Sequence, residues 1–312
     1  MRAPTGVQFE LSKSTPNGKA IAVITEVAAS LRVLSLGGID LTEPYGHDEL
    51  PSFCDGIVLV PWPNRVRDGL WMHEGAAQSL DLTEPARHNA LHGLLRDRPY
   101  TVHERTADAV TLAATVHPTR GYPFILDTTV RYELVDDGIR VTHDVLNVGE
   151  KRAPFAVGAH PFLRLGDVPT SELTLTLAAG TRFETDARLN PIRETTVDGT
   201  EYDLRAGRLV AGLDLDDAFG GVTSVDGVSR HGLTAPDGRF VELWQESDFG
   251  YVQVFTTRIF PKDGGLGTAI AVEPMTAPPD ALNSGQGLRW LEPGESWAGS
   301  WGIRYSGGNE GE

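Results

Sequence analysis

The amino-acid sequence predicts an all-β protein built as a large antiparallel β-sandwich. Apolar and polar residues alternate in many short segments, which is the pattern of a strand with one buried face. Turn residues separate these segments, and no segment sustains three turns of helical periodicity with a proper cap. Many short strands joined by turns are typical of a sandwich. The sequence contains no repeat of fixed period, which disfavours a propeller.

The clearest predicted element is a hairpin around the turn Asp136-Asp137-Gly138. Residues 130–134 alternate between apolar and charged side chains before this turn. The apolar residues Ile139, Val141 and Val145 continue the pattern after it. The same alternation predicts further strands at residues 110–116, 173–177, 252–254 and 301–305.

The composition favours one continuous domain. The 35 glycines and 20 prolines are scattered along the 312 residues and are not collected in a linker. Hydrophobic residues make up 40% of the chain, which is ample for a core. We therefore predict a single domain at residues 1–306 and a flexible C-terminal tail at residues 307–312.

The charge balance excludes several classes of partner. With 43 acidic and 27 basic residues, the formal net charge is −16, which repels nucleic-acid phosphates and anionic lipids. The sequence has no long apolar span and no hydrophobic signal segment near Met1, so we expect a cytoplasmic protein with no membrane partner. The single cysteine, Cys54, agrees with a reducing compartment and is interpreted as a small half-buried apolar residue.

Several catalytic motifs are absent. The sequence contains no Cys-Xaa-Xaa-Cys and no Gly-Xaa-Ser-Xaa-Gly, and residues 264–267 lead into a strand-like segment, which is wrong for a phosphate-binding loop. His88 and His92 have the spacing of zinc ligands on a helix, but Gly93 follows at once and the accompanying glutamate is missing. We predict no metal and no other cofactor.

Polar residues in rigid frames remain as candidates for a small-molecule site. His160 precedes Pro161, which restricts it to an extended backbone, and histidine exchanges protons readily near neutral pH. Other polar or titratable residues also lie beside a proline or glycine that fixes the backbone, which is the geometry that a binding site needs. The stretches concerned are PWPNRVRDG (61–69), NALHGLL (89–95), VGAHPFLRL (157–165), LDDAFGG (215–221) and VEPMTAPPDALNSG (272–285).

Taken together and in this order, these stretches resemble the aldose 1-epimerases, the galactose mutarotase family. The resemblance extends from about residue 18 to residue 305. It implies the β-supersandwich fold of that family and the interconversion of α and β anomers of a free sugar without a metal or a nucleotide. It also implies a monosaccharide substrate, whereas the choice between monomer and homodimer stays open.

The resemblance implies a role for individual residues. His160 matches the general acid of the family and Glu273, in the motif Ala-Val-Glu-Pro, matches its general base. The residues that match sugar-binding positions are Asn64, Arg65, His92 and Asp216, with Asp217 as the alternative to Asp216 if the register differs by one. We further expect an aromatic wall from Trp62 or Trp244, although either tryptophan also suits the core.

The sequence departs from the usual family pattern at three positions. Phe162 and Arg164 replace a tyrosine and an asparagine after the histidine, and Met275 stands where a glutamine is common. Together with Arg67, the additional positive charge raises the hypothesis of a hexose that carries an acidic group. Arg164 is equally explained by a surface ion pair. The alternatives to an epimerase are a sugar-binding protein without catalysis and a glycoside hydrolase that uses Glu273 and Asp216.

Overall fold

Strands dominate this chain. The computed structural model describes residues 2–262 and 264–307. The first strands are β1 (Gln8–Thr15), β2 (Gly18–Thr25), β3 (Leu31–Leu36), β4 (Ile39–Asp40), β5 (Val58–Leu59), β6 (Arg65–Arg67), β7 (Leu70–His73), β8 (Ala76–Ser79), β9 (Asn89–Leu91), β10 (Thr101–Arg105), β11 (Ala109–Val116), β12 (Leu126–Val135), β13 (Gly138–Asn147), β14 (Ala153–Phe155), β15 (Gly158–Ala159) and β16 (Phe162–Leu163). The later strands are β17 (Thr174–Leu177), β18 (Ala179–Thr185), β19 (Pro191–Thr196), β20 (Arg208–Leu209), β21 (Asp216–Val222), β22 (Val228–Thr234), β23 (Phe240–Glu246), β24 (Tyr251–Lys262), β25 (Gly265–Met275), β26 (Arg289–Leu291) and β27 (Ser296–Ser306).

Helical structure is confined to short turns in the described ranges. The one α-helix there, α1, spans Ala281–Ser284, and 3-10 turns occur at Ser52–Cys54, Thr170–Glu172 and Val210–Gly212. Among the described residues, no helix is long and apolar enough to cross a bilayer. The prediction of an all-β fold is confirmed. The prediction of one domain at residues 1–306 stays a prediction, and positions 308–312 of the predicted tail lie outside the described residues.

Two large antiparallel sheets form the framework. One has nine strands in the order β10-β11-β12-β13-β27-β23-β22-β17-β20, and the other has eight in the order β19-β18-β21-β24-β25-β15-β5, with β16 paired to β25. Strands β1 to β4 form a separate antiparallel sheet. A single hydrophobic cluster takes side chains from all three sheets, so their apolar faces pack together.

The predicted hairpin is present as β12 and β13. Its register pairs Val135 with Gly138 and Tyr132 with Val141, so the turn lies at Asp136 and Asp137 as expected. Along β12 every second residue is buried, and Tyr132 is fully buried. The other predicted strands occur as β11, β17, β24 and β27, which confirms the alternation as the signal for this fold.

The eight-stranded sheet is two-faced where the candidate residues lie. In β24, Val252 and Val254 belong to the core, so Gln253 points to the opposite face. In β25, Ile270 and Val272 belong to the core, and Glu273 points the other way. This second face is the one that carries the polar candidates.

At Gly93 the backbone passes very close to the backbone of another segment, at Val60. Its φ is +75°, and an added Cβ would lie 2.1 Å from the carbonyl oxygen of Val60. Gly75, in the β7–β8 turn, has a similar φ of +79° but open space around it. Comparing substitutions at the two glycines therefore distinguishes the cost of backbone strain from the cost of steric overlap.

We expect Gly93→Ala to destabilise the protein more than Gly75→Ala. Both substitutions force alanine into a left-handed backbone at about 1–2 kcal/mol. Gly93→Ala adds an overlap that costs about 1–3 kcal/mol more. Urea unfolding of both variants measures the difference, and equal losses of the free energy of unfolding would contradict it.

Candidate active site

One strand register brings the two main candidates together. Gly158 in β15 pairs with Met275, and Phe162 in β16 pairs with Ala271. The same register, continued between these pairs, places His160 opposite Glu273. On the other side of β25, Glu273 pairs with Gln253. The row Gln253, Glu273, His160 therefore crosses adjacent strands although more than 100 residues separate the last two along the chain.

His160 and Glu273 contact each other directly. His160 Nε2 lies 3.2 Å from Glu273 Oε1, and the two side chains are 7% and 2% exposed. The remaining polar atoms, His160 Nδ1 and Glu273 Oε2, are buried without a hydrogen-bond partner in the described residues. Unpaired buried polar atoms are costly in a fold, and each of these two atoms has the capacity for one further hydrogen bond.

Burial favours the neutral forms of both groups. Burial, and then the nearby Asp216 carboxylate, raise the pKa of Glu273 well above its ordinary value of 4.5, against a lowering by Arg65. Burial, with a further contribution from Arg65, lowers the pKa of His160 from 6.5 to about 4. Burial therefore favours a neutral carboxyl beside a neutral imidazole over a carboxylate beside an imidazolium, and the assignment of His160 as acid and Glu273 as base stays a prediction.

Asn64 and His92 lie on two loops that hold each other above the sheet. The backbone N–H of Asn64 donates to His92 Nδ1 at 3.2 Å, and the backbone N–H of His92 donates to the carbonyl of Asn64 at 2.9 Å. Both residues have positive φ, 57° and 62°, a backbone conformation that is uncommon for non-glycine residues and that asparagine and histidine tolerate better than most. The imidazole of His92 packs edge-on against that of His160, with ring centroids 5.4 Å apart.

The same contacts define the state of His92. Because Nδ1 accepts a hydrogen bond, the ring proton is on Nε2. Burial, the neighbouring His160 and two arginines lower the pKa of His92 well below 6.5, so the ring is neutral. His92 is thus a fixed hydrogen-bond donor beside His160.

Arg65 and Asp216 form a charged chain along the site. Arg65 donates from Nε and Nη2 to the Glu84 carboxylate at 2.9 and 3.1 Å. Its Nη2 also reaches Asp216 Oδ2 at 3.4 Å. Asp216 accepts a second hydrogen bond from Gln253 Nε2 at 2.7 Å. The charged chain Glu84–Arg65–Asp216 is therefore joined through Gln253 to the strand row that holds Glu273.

The two adjacent aspartates have different surroundings. Asp217 is paired with Arg182, whose Nε and Nη2 lie 2.7 and 2.6 Å from Asp217 Oδ1. Asp216 instead points to Arg65 and Gln253. The structure thus places Asp216, the residue preferred from the sequence, with the other candidates and leaves its neighbour outside the group.

His88 and His92 do not act as a pair. His88 Nδ1 lies 3.0 Å from Asp68 Oδ1, whereas His92 Nδ1 accepts from Asn64. Within residues 2–262 and 264–307, no group of three or more His, Cys, Asp or Glu side chains has an arrangement that would hold a metal ion.

The additional arginines are already engaged by the protein. Arg67 donates to the carbonyl of Pro191 at 2.8 Å and lies near Asp186 and Asp280. Arg164 donates to the carbonyl of Gly166 at 2.7 Å, and its Nη1 is 3.6 Å from Glu43 Oε2. The expected ion pair of Arg164 is present, but its partner is a buried carboxylate and not a surface one.

Neither tryptophan expected as an aromatic wall is exposed. Trp62 is 3% exposed and packs against Tyr122, and Trp244 is equally buried between Arg140 and Arg304 on the nine-stranded sheet. Both tryptophans are core residues because their neighbours enclose them.

Two phenylalanines lie beside the candidate residues. Phe162 stacks on His160 with centroids 5.4 Å apart. Phe255 pairs with Asp216 in the sheet and is only partly buried. Because Phe255 and Gln253 are two residues apart on one strand, they share the face that carries the site.

Three contributors were missed from the sequence, namely Gln253, Glu84 and Phe255. A signal existed for Gln253, because a lone amide between Val252 and Val254 is unusual in a buried strand. Glu84 has no such signal, since Thr83-Glu84-Pro85 reads as an ordinary turn.

A cavity of about 880 Å³ adjoins the site without including it. Its lining contains Gly93 and Arg96, next to His92, but neither His160 nor Glu273. The candidate site itself is closely packed, and Asp216, with 28% of its side chain exposed, is its most accessible charged group.

Comparison with known proteins identifies the family of the chain. The family model described as aldose 1-epimerase matches residues 38–304. The chain is 33% identical over 275 residues to the uncharacterized protein YihR of Escherichia coli K12, covering 88% of this chain and 86% of that protein.

Solved structures show the same fold. A GalM/aldose epimerase homologue from C. elegans superimposes with a TM-score of 0.83 at 16% identity, covering 97% of this chain and 100% of that chain. Galactose 1-epimerase from Lactobacillus acidophilus NCFM gives a TM-score of 0.80 at 18% identity, covering 97% and 95%.

Proposed function

We propose that this chain, which belongs to the aldose 1-epimerase family, interconverts the α and β anomers of a free aldohexose by acid–base ring opening. The observation that carries the proposal is the buried contact of His160 with Glu273. A protein that only bound sugar would have no need for a matched acid and base. A hydrolase that used Glu273 and Asp216 would leave the imidazole in this position unexplained.

The proposed reaction conserves protons within the pair. Transfer of the single proton across the 3.2 Å contact gives carboxylate and imidazolium. Glu273 then takes the proton of the anomeric hydroxyl while His160 protonates the ring oxygen, and the C1–O5 bond breaks. The open-chain sugar therefore faces a neutral pair, which is the state that burial favours. Rotation about C1–C2 and closure on the other face return both protons.

The surrounding residues suit a neutral sugar. Arg65, Asn64 and His92 offer donors, Asp216 accepts from hydroxyl groups, and the partly exposed Phe255 supplies an apolar surface. The hypothesis of an acidic hexose loses the support of Arg67 and Arg164, because both already contact acceptors of the protein.

We expect the purified protein to accelerate anomer exchange of fresh α-glucose or α-galactose. His160→Asn and Glu273→Gln should each lower the exchange rate by about 10²–10⁴-fold, because each removes one proton-transfer group. NMR exchange spectroscopy or polarimetry measures this. Sugar binding without exchange would favour the binding protein, and new reducing ends from an oligosaccharide would favour the hydrolase.

The activity should have a bell-shaped pH profile. The active pair holds one proton, so rate is lost when a second proton binds and when the last one leaves. Because the pKa of His160 is lowered to about 4, the acid limb should lie well below the usual histidine value of 6.5. The alkaline limb should lie above the usual carboxylate value of 4.5. An acid limb near 6.5, measured after subtraction of the buffer rate, would contradict this arrangement.

Asp216→Asn and Asp217→Asn form a matched pair. Asp216→Asn removes a carboxylate that faces the proposed sugar site, so kcat/KM should fall by roughly 10–100-fold, as expected for a charged hydrogen bond of about 1.5–3 kcal/mol. Asp217→Asn releases Arg182 and should change thermal stability with little change in KM. Equal kinetic effects of the two substitutions would argue against Asp216 as a sugar ligand.

A further inference from the structure

We propose that Glu84 is a positioning residue, which fixes the orientation and balances the charge of Arg65 in the sugar site. This inference rests on the proposed function, in which Arg65 contacts the substrate. Neither the sequence motifs nor the family match assigns a role to Glu84.

The hydrogen bonds of the Arg65 guanidinium involve two of its three nitrogens and leave the Nη1 edge for a ligand. Glu84 accepts from Nε and Nη2 in a two-point contact, and Nη2 also contacts Asp216. Nη1 of Arg65 makes no hydrogen bond with the described residues. A two-point contact fixes the plane of a guanidinium, which a single bond does not do. Glu84 therefore sets the direction of the Nη1 N–H bonds.

Glu84 is itself held from several directions. Its Oε2 accepts from Asn89 Nδ2 at 3.1 Å, and its Oε1 accepts from Arg87 at 3.1 Å. The backbones of Glu84 and Asn89 also bond to each other in both directions, at 3.0 and 3.2 Å. Asn89 is fully buried at the start of β9, opposite Arg67 of β6, on the strand pair that also carries Arg65. Asn89 thus anchors the carboxylate to the strand pair of β6 and β9.

Glu84 also acts on the electrostatics of the acid–base pair through Arg65. The positive charge of Arg65 lowers the pKa of both Glu273 and His160. The pKa of Glu84 is lowered by its hydrogen bonds with Arg65 and Asn89, despite the opposing effect of burial, so Glu84 is an anion at neutral pH. The titratable and charged groups around this chain are Arg65, Asp216, Glu273, His160, His92, Arg87 and Arg96. Without the negative charge of Glu84, the positive charge of Arg65 would lower the pKa values of Glu273 and His160 further.

The test compares Glu84→Gln with Glu84→Asp. Glu84→Gln keeps the size but loses the charge and one acceptor, so KM for the aldose should rise about tenfold, equivalent to about 1.4 kcal/mol, and both limbs of the pH profile should move to lower pH. Glu84→Asp keeps the charge but is one methylene shorter, so KM should rise while the pH profile stays that of the wild type. Glu242→Gln is the control, because the Glu242 side chain is similarly buried and pairs with Arg230 on the nine-stranded sheet, and it should change neither quantity.

Two results would overturn the inference. In the first, Glu84→Gln lowers the melting temperature while KM and the pH profile stay unchanged, which marks a purely structural role. In the second, Glu84→Asp moves the pH profile as far as Glu84→Gln does, which excludes the charge as the cause. Glu84→Asp keeps the test valid if Glu84→Gln does not fold.

Failure of the proposed function gives a different result. In that case the wild type exchanges no aldose, and calorimetric titration with galactose replaces the kinetic readout. Weaker galactose binding by Glu84→Gln than by Glu242→Gln would still support positioning of Arg65. Equal binding by the two variants, or no binding by the wild type, would overturn it.

Discussion

The buried contact between His160 and Glu273 is the constraint on which the site depends. A carboxyl and an imidazole are expensive to bury, and the eight-stranded sheet accepts them only on the face turned away from the main core. The register of β15, β16 and β25 holds them opposite each other, so their separation is set by backbone hydrogen bonds and not by flexible loops. A shift of one residue would turn Val272 to the site and Glu273 into the core.

Much of the framework was predictable because it rests on local patterns. The hairpin of β12 and β13 follows from alternation and a turn, both visible in ten residues on either side of Asp136. The candidates His160, Glu273, Asn64, Arg65, His92 and Asp216 were found through short motifs with fixed backbones, and the structure brings them together. Asp216 was preferred over Asp217 from the motif match, and alternation along the strand gives the two residues different partners, because adjacent residues of a strand face opposite sides.

What the sequence did not reveal depends on pairing between distant segments. Glu84 lies in a turn that looks ordinary, and its importance appears only where the chain returns to place it against Arg65. Trp62 looked suitable as a sugar platform, but Tyr122 and the core enclose it. The protonation of the Glu273–His160 pair was equally hidden, because it follows from the depth of burial and not from the residue types.

The charges around the site also bear on the kind of sugar it accepts. Glu84 and Asp216 are carboxylates on either side of Arg65, and Glu84 also pairs with Arg87, so Asp216 is the more weakly compensated of the two carboxylates. A second anion beside Asp216 would add repulsion in a partly buried environment, where charges are weakly screened. Hydroxyl groups, in contrast, donate to Asp216 and accept from Arg65 without adding charge. The arginines that suggested an acidic substrate contact carboxylates of the protein instead, so the electrostatics at Asp216 support the neutral aldose of the proposed function.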